Sequence, residues 1–199
     1  MPITREGWEL LITRLGLQTR GDVTRTYATY QAFRDGVAIE SLSGHICECK
    51  GPGDNEHPGS GKRIKAGRYP LSTQFGRKYK TSGFGTGASG DASRPMPGLL
   101  LERTGRRTAI LIHPGHPPKL YLSSVGCLNP TKPLRAADNM NFVESRARVI
   151  ALIDDLRAFS PQSFNNARNT RIPKAFVVIE GEPTAAISDQ DALAGPAVA

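Results

Sequence analysis

Apolar residues alternate with polar ones at Trp8, Leu10 and Ile12, and the same two-residue period returns over residues 27–33. That period predicts two strands, each with one buried face. Asp35-Gly36 follows the second run. Both central residues of a two-residue hairpin need positive φ, so Asp-Gly predicts a tight turn into a strand over residues 37–42, with a further short strand at 45–49. Glycine and proline at 51–61 mark a loop, and residues 63–71 read as a turn feeding a strand. The Gly-, Ser- and Pro-rich stretch 81–97 predicts a long mobile loop beside a groove.

The runs 99–102 and 108–112 are strongly apolar and read as an antiparallel pair in the centre of the sheet, joined by a turn that exposes Arg106 and Arg107. Asn141, with Glu144 three residues on, caps a predicted helix whose apolar positions are Val143, Ala147, Ile150, Ile153 and Leu156, and Ser160-Pro161 ends it. Residues 176–179 predict a last strand. Residues 181–199 hold no aromatic side chain and read as a disordered tail. The fold class expected is mainly β: one domain over residues 1–180, a curled sheet or β-sandwich with one long helix.

A chain of 199 residues with 38% hydrophobic content suits one domain with a sizeable core. Its formal charge of +8 favours an anionic partner. The basic residues are scattered, without the block that marks a nucleic-acid arm, so no nucleic-acid partner is expected. No run is long enough to span a membrane, and the first residues lack the apolar core of a Sec-type signal peptide. Three cysteines do not make a disulfide scaffold, and Cys47-Glu48-Cys49 is too closely spaced for the usual metal or redox pairs.

The chemistry concentrates at Ile112-His113-Pro114-Gly115-His116 and at Ser124-Val125-Gly126-Cys127. An imidazole at a strand end and a thiol in a glycine turn are the pair a cysteine acyl-transfer site uses. Thirteen residues separate them, enough for the chain to loop out and bring both side chains to one pocket. Gly126 allows backbone N–H groups to approach a developing oxyanion. His116, Tyr121 and Tyr69 are candidate pocket residues, while His57 sits in a Gly/Pro loop and reads as exposed. A zinc site built from His113, His116 and Cys127, with His45, Cys47 or Cys49, is the competing chemistry, but none of these has the usual ligand spacing. No metal or other cofactor is expected.

Three segments carry a resemblance. Residues 64–71, Ile-Lys-Ala-Gly-Arg-Tyr-Pro-Leu, resemble the strand entry of the L,D-transpeptidase fold of bacterial cell-wall enzymes, and especially of the shorter DUF5675 family; Ile112-His113-Pro114-Gly115-His116 and Val125-Gly126-Cys127-Leu128 resemble its histidine and cysteine motifs. The likeness covers residues 23–130. It implies that Cys127 is a nucleophile toward peptidoglycan stem peptides and His113 its general base. It also implies Ser124 as a supporting hydroxyl and an oxyanion hole of N–H groups around Gly126 and Cys127. Crosslinking, D-amino-acid exchange and L,D-carboxypeptidase cleavage all pass through that acyl-enzyme. Val125 stands where the family pattern has a second histidine and Asn129 where it has an arginine; His116 is the candidate replacement for that imidazole. The implied place of action is the periplasm or cell wall. Without a signal peptide this suggests an exported antibacterial effector or a phage-borne protein, with a neutralising immunity protein as a partner. The alternative is a non-catalytic module of the same fold that holds glycan or another anionic polymer.

Overall fold

The N-terminal alternation becomes a meander of three long strands. In the computed structural model, which describes residues 3–85 and 95–194, these are β1 (Trp8–Arg20), β2 (Val23–Arg34) and β3 (Val37–Cys49). Trp8, Leu10 and Ile12 of β1 are fully buried. Arg14 and Gln18 continue the same stripe, so the interior passes from apolar to polar along one strand. Asp35 (φ 49°) and Gly36 (φ 82°) make the expected turn, and Arg34 pairs with Val37 across it. Residues 37–49 form one strand rather than two. The irregularity is absorbed as a register shift between Gln31 and Phe33, bridged by Gln31 Nε2 donating to the Ile39 carbonyl at 2.8 Å.

The remaining strands are β4 (Gly67–Thr73), β5 (Tyr79–Lys80), β6 (Met96–Pro97), β7 (Leu99–Leu101), β8 (Ile110–Ile112), β9 (Asn129–Thr131) and β10 (Arg171–Glu180). β5 and β6 pair with each other, and the rest form one sheet in the order β8-β7-β4-β10-β1-β2-β3-β9. Its two edges meet. Leu128, the residue before β9, donates to the Leu111 carbonyl at 2.8 Å and accepts from the His113 N–H at 3.0 Å, so the sheet curls until β8 touches the lead-in to β9. The apolar runs 99–101 and 110–112 do pair, but at this seam and not in the sheet centre. A continuous apolar run reports burial on both faces, and a closing edge is buried as well as a central strand is. β10 and β1 are the two middle strands, parallel to each other, and β10 is antiparallel to β4.

α1 (Phe142–Phe159) starts where the capping pattern predicts, with Asn141 Oδ1 accepting from Glu144 N at 3.1 Å. Its inward face is Phe142, Ser145, Val149, Leu152, Ile153 and Leu156. Val143 is 54% exposed and Ala147 is exposed as well, so the first half of the expected stripe lies off the buried face. Ser145 takes the inward place because its hydroxyl accepts from Gly115 N at 2.9 Å and donates to the Pro130 carbonyl, tying the helix to the histidine loop and to β9.

Residues 181–194 are ordered, contrary to the tail expectation, and residues 195–199 of that tail lie outside the described residues. Glu182 pairs with Arg14 (3.0 Å) and Arg63 (2.9 Å), Ile187 N donates to the Leu17 carbonyl (3.0 Å), and the short helix α2 (Asp189–Leu193) brings the Ala192 carbonyl to Tyr27 Oη (3.1 Å). These anchors are one carboxylate, backbone groups and a small side chain, none of which stands out in composition. Of the loop expected over 81–97, residues 86–94 also lie outside the described residues.

Candidate active site

The closure of the sheet brings the predicted histidine and cysteine together. His113 follows β8 directly, and its N–H is half of the seam; Cys127 precedes Leu128, the other half. Both side chains line one cavity of about 390 Å³, with Lys78, Tyr79, His116 and Lys119 in its wall.

His113 is 2% exposed. Its Nδ1–H donates to the Pro114 carbonyl at 2.8 Å, which leaves the Nε2 lone pair as the basic position. The Tyr79 ring lies 4.4 Å from the imidazole, centroid to centroid, tilted by 30°. Asn129 is fully buried beneath it, its Nδ2 donating to the His113 carbonyl at 3.0 Å and lying 3.3 Å from Nδ1. Burial above all, then His116 and Lys78 nearby, push the imidazole down to about 3, so it is neutral at pH 7.

Cys127 Sγ accepts the Leu111 N–H at 3.4 Å and faces the Ala109 carbonyl at 3.7 Å. Ala109 holds a left-handed backbone (φ 58°), a conformation that costs a non-glycine residue about 1–2 kcal/mol. Burial pushes the thiol up; the Leu111 N–H first, and then the Arg107 charge, pull the other way. The resting pair is therefore a neutral thiol and a neutral imidazole. Among the described residues no hydrogen bond joins sulfur to ring. The cysteine also borders a second cavity of about 110 Å³, lined by Pro58, Gly59, Thr108, Ala109 and Ile110, and Val125, 70% exposed, forms the ridge between the two.

The turn that carries the thiol is clasped from both sides. Gly126 N donates to Ser124 Oγ (2.8 Å), and that hydroxyl donates to the Cys127 carbonyl (2.8 Å). Ser124 thus shapes the turn, while the Gly126 N–H is committed and is not a free oxyanion donor as expected. The Cys127 N–H has no hydrogen-bond partner among the described residues. On the other side lies Arg107, which is 3% exposed rather than displayed on a turn. Its Nη1 donates to the carbonyls of Asp54 (2.7 Å) and Lys62 (2.9 Å), and its Nη2 to Val125 (2.9 Å). Gly126 has φ 143°, and a Cβ there would sit 1.9 Å from Arg107 Nη2. The glycine is required by both backbone and space.

His116 joins the wall of the cavity, its Nε2 accepting from Tyr79 Oη (3.1 Å) while its Nδ1–H donates to the Pro117 carbonyl (2.9 Å). Tyr69 and Tyr121 do not reach this cavity. Tyr69 Oη donates to the Lys65 carbonyl (2.6 Å), and the Tyr121 ring is stacked between Arg20 and Arg25, each 4.2 Å from its centroid. The pocket tyrosine is Tyr79, which no local motif marks. Asn129 was legible only as a residue two places after the cysteine.

The zinc reading finds no support in ligand geometry. Among the described residues no group of three His, Cys, Asp or Glu side chains is placed to hold a metal ion. Cys47 and Cys49 are buried thiols pushed up to about 11 by burial, and Cys49 Sγ donates to the Ser124 carbonyl at 3.3 Å, behind the turn. His45 lies in a different cluster, against Tyr27 at 5.2 Å. No protein-family model, curated protein or solved structure matches the chain.

Proposed function

We propose that this protein is a cysteine acyltransferase of the L,D-transpeptidase kind, acting on peptidoglycan stem peptides. The observation that carries the reading is the seam: the two edges of the curled sheet, where they meet, deliver a neutral His113 and Cys127 into one cavity, with a backbone N–H already on the sulfur. In this mechanism the sulfur attacks the peptide carbonyl while its proton passes to His113 Nε2. Neither group is charged at rest, so proton loss and S–C bond formation advance together. The Pro114 carbonyl holds the Nδ1–H of the imidazolium that results. The Cys127 N–H is the donor available to the oxyanion. The C–N bond then breaks, the imidazolium protonates the leaving amine, and a second amine or water releases the acyl group from sulfur.

Incubation with purified muropeptides and mass spectrometry tests this. Loss of the terminal D-residue, its exchange, or a new crosslink each supports the reading, and unchanged masses with wild-type protein reject it. A second reading, a binding module that keeps the fold, is favoured by the missing sulfur–imidazole hydrogen bond. It predicts that muropeptides bind but emerge unaltered.

A further inference from the structure

We propose that Cys49 is the resolving partner of Cys127: a hydroperoxide oxidises Cys127, and the product is captured as a reversible Cys49–Cys127 disulfide. This goes beyond the acyl-transfer reading, since it needs a reactive thiol at Cys127 and no peptide. The register of the sheet carries it. β3 and β9 run antiparallel, with His45 opposite Thr131, Ile46 opposite Pro130 and Cys47 opposite Asn129. Carried two residues further, the same register sets Cys49, the last residue of β3, opposite Cys127 in the lead-in to β9. Directly opposed residues of an antiparallel pair have Cα atoms about 4.5–5.5 Å apart, inside the span that a disulfide bridges.

The side chains meet at one turn. Cys49 Sγ donates to the Ser124 carbonyl at 3.3 Å, and the Ser124 hydroxyl donates to the Cys127 carbonyl at 2.8 Å. The Ser124 side chain acts on both thiols, and a charge on Cys127 is felt at Cys49. Burial separates their roles. Cys127 is half-buried and borders two cavities, whereas Cys49 is 1% exposed, so peroxide reaches Cys127 first. Cys47 belongs instead to the apolar cluster of Tyr27, Leu134 and Met140. In the first step the Cys127 sulfur attacks one peroxide oxygen: the S–O bond forms, the O–O bond breaks, and the thiol proton passes through His113 Nε2 to the departing oxygen, leaving a sulfenic acid. In the second step Cys49 releases the Ser124 carbonyl and attacks the sulfenic sulfur. The S–S bond forms, the S–O bond breaks, and the Cys49 proton departs with the hydroxyl as water. The two sulfurs together give up two electrons, which the peroxide accepts.

Oxidation of the native protein with hydrogen peroxide tests this. Remaining thiols are capped with iodoacetamide in denaturant, and the chain is cut without reductant by trypsin and a glutamate-specific protease, which cleaves at Glu48 and so separates Cys47 from Cys49. The expected product is a linked Cys49–Cys127 peptide, two hydrogens lighter than the sum of its parts. Labelling of native Cys127 by iodoacetamide should fall about tenfold or more after peroxide and return with dithiothreitol. In Cys49→Ala, dimedone should trap the Cys127 sulfenic acid, and continued peroxide should add two or three oxygens that dithiothreitol does not remove. Cys47→Ala should leave the link intact. The proposal is overturned by a wild-type Cys127 that reaches sulfinic or sulfonic acid while Cys49 remains free for capping, that pairs with Cys47 or with a second chain, or that peroxide leaves unchanged. Of these results only the inert thiol also counts against acyl transfer.

Discussion

Acidification should weaken this fold through His113, by an amount that follows from its burial. The imidazole is held down to about 3 in the folded chain, against 6.5 when unperturbed. As pH falls from 7, the unfolded state therefore takes up this proton first, and the folded state loses stability between pH 6.5 and about 3. At pH 5 the loss is 6.5 − 5 = 1.5 units, which at about 1.4 kcal/mol per unit is roughly 2 kcal/mol. This figure depends only on the folded value lying well below 5. The perturbation is His113→Gln, and the assay is urea unfolding of both proteins at pH 7 and pH 5, with extrapolation to water. Wild type should lose about 2 kcal/mol more than the variant over that interval. His45 and His116, also lowered by burial, and Glu9 and Glu182, lowered by their hydrogen bonds, are common to both proteins and cancel. Equal losses would refute the claim that the imidazole is buried neutral, and with it the base assigned in the mechanism.

Cys127→Ala should abolish turnover of muropeptides, and Cys127→Ser should lower it by orders of magnitude because a hydroxyl ionises far less readily than a thiol; wild-type product masses from the Ala variant would place the chemistry elsewhere. Gly126→Ala sets a Cβ 1.9 Å from a guanidinium fixed by carbonyls, at φ 143°, and should cost about 2–4 kcal/mol of unfolding free energy while slowing alkylation of Cys127. A change under about 0.5 kcal/mol would show that Arg107 yields freely. Glu48→Gln leaves the buried Arg14 side chain with Glu182 as its one remaining carboxylate among the described residues, and should lower stability by about 3 kcal/mol in the same assay. Activity should persist in chelators and fall after iodoacetamide, and stoichiometric zinc lost together with activity would reverse the assignment.

Local pattern determined a good deal of this protein. Alternation located β1 and β2, Asp35-Gly36 fixed the hairpin between β2 and β3, Asn141 and Glu144 fixed the start of α1, and the mainly β class followed. These signals are local because backbone dihedrals and capping hydrogen bonds are satisfied within a few residues. His113 and Cys127 were legible by residue type and spacing. Only the tertiary structure decided that they share a cavity, because their meeting depends on closure of the sheet between Leu111, His113 and Leu128. The same closure moved the apolar pair 99–101 and 110–112 from the centre to the seam. Arg107 is buried by carbonyls of the distant 54–63 loop and of Val125, backbone partners that no sequence pattern announces. Residues 181–194 were misread for the same reason: Glu182 is anchored by Arg14 and Arg63, and such pairs between distant positions leave no trace in the composition of the segment they hold.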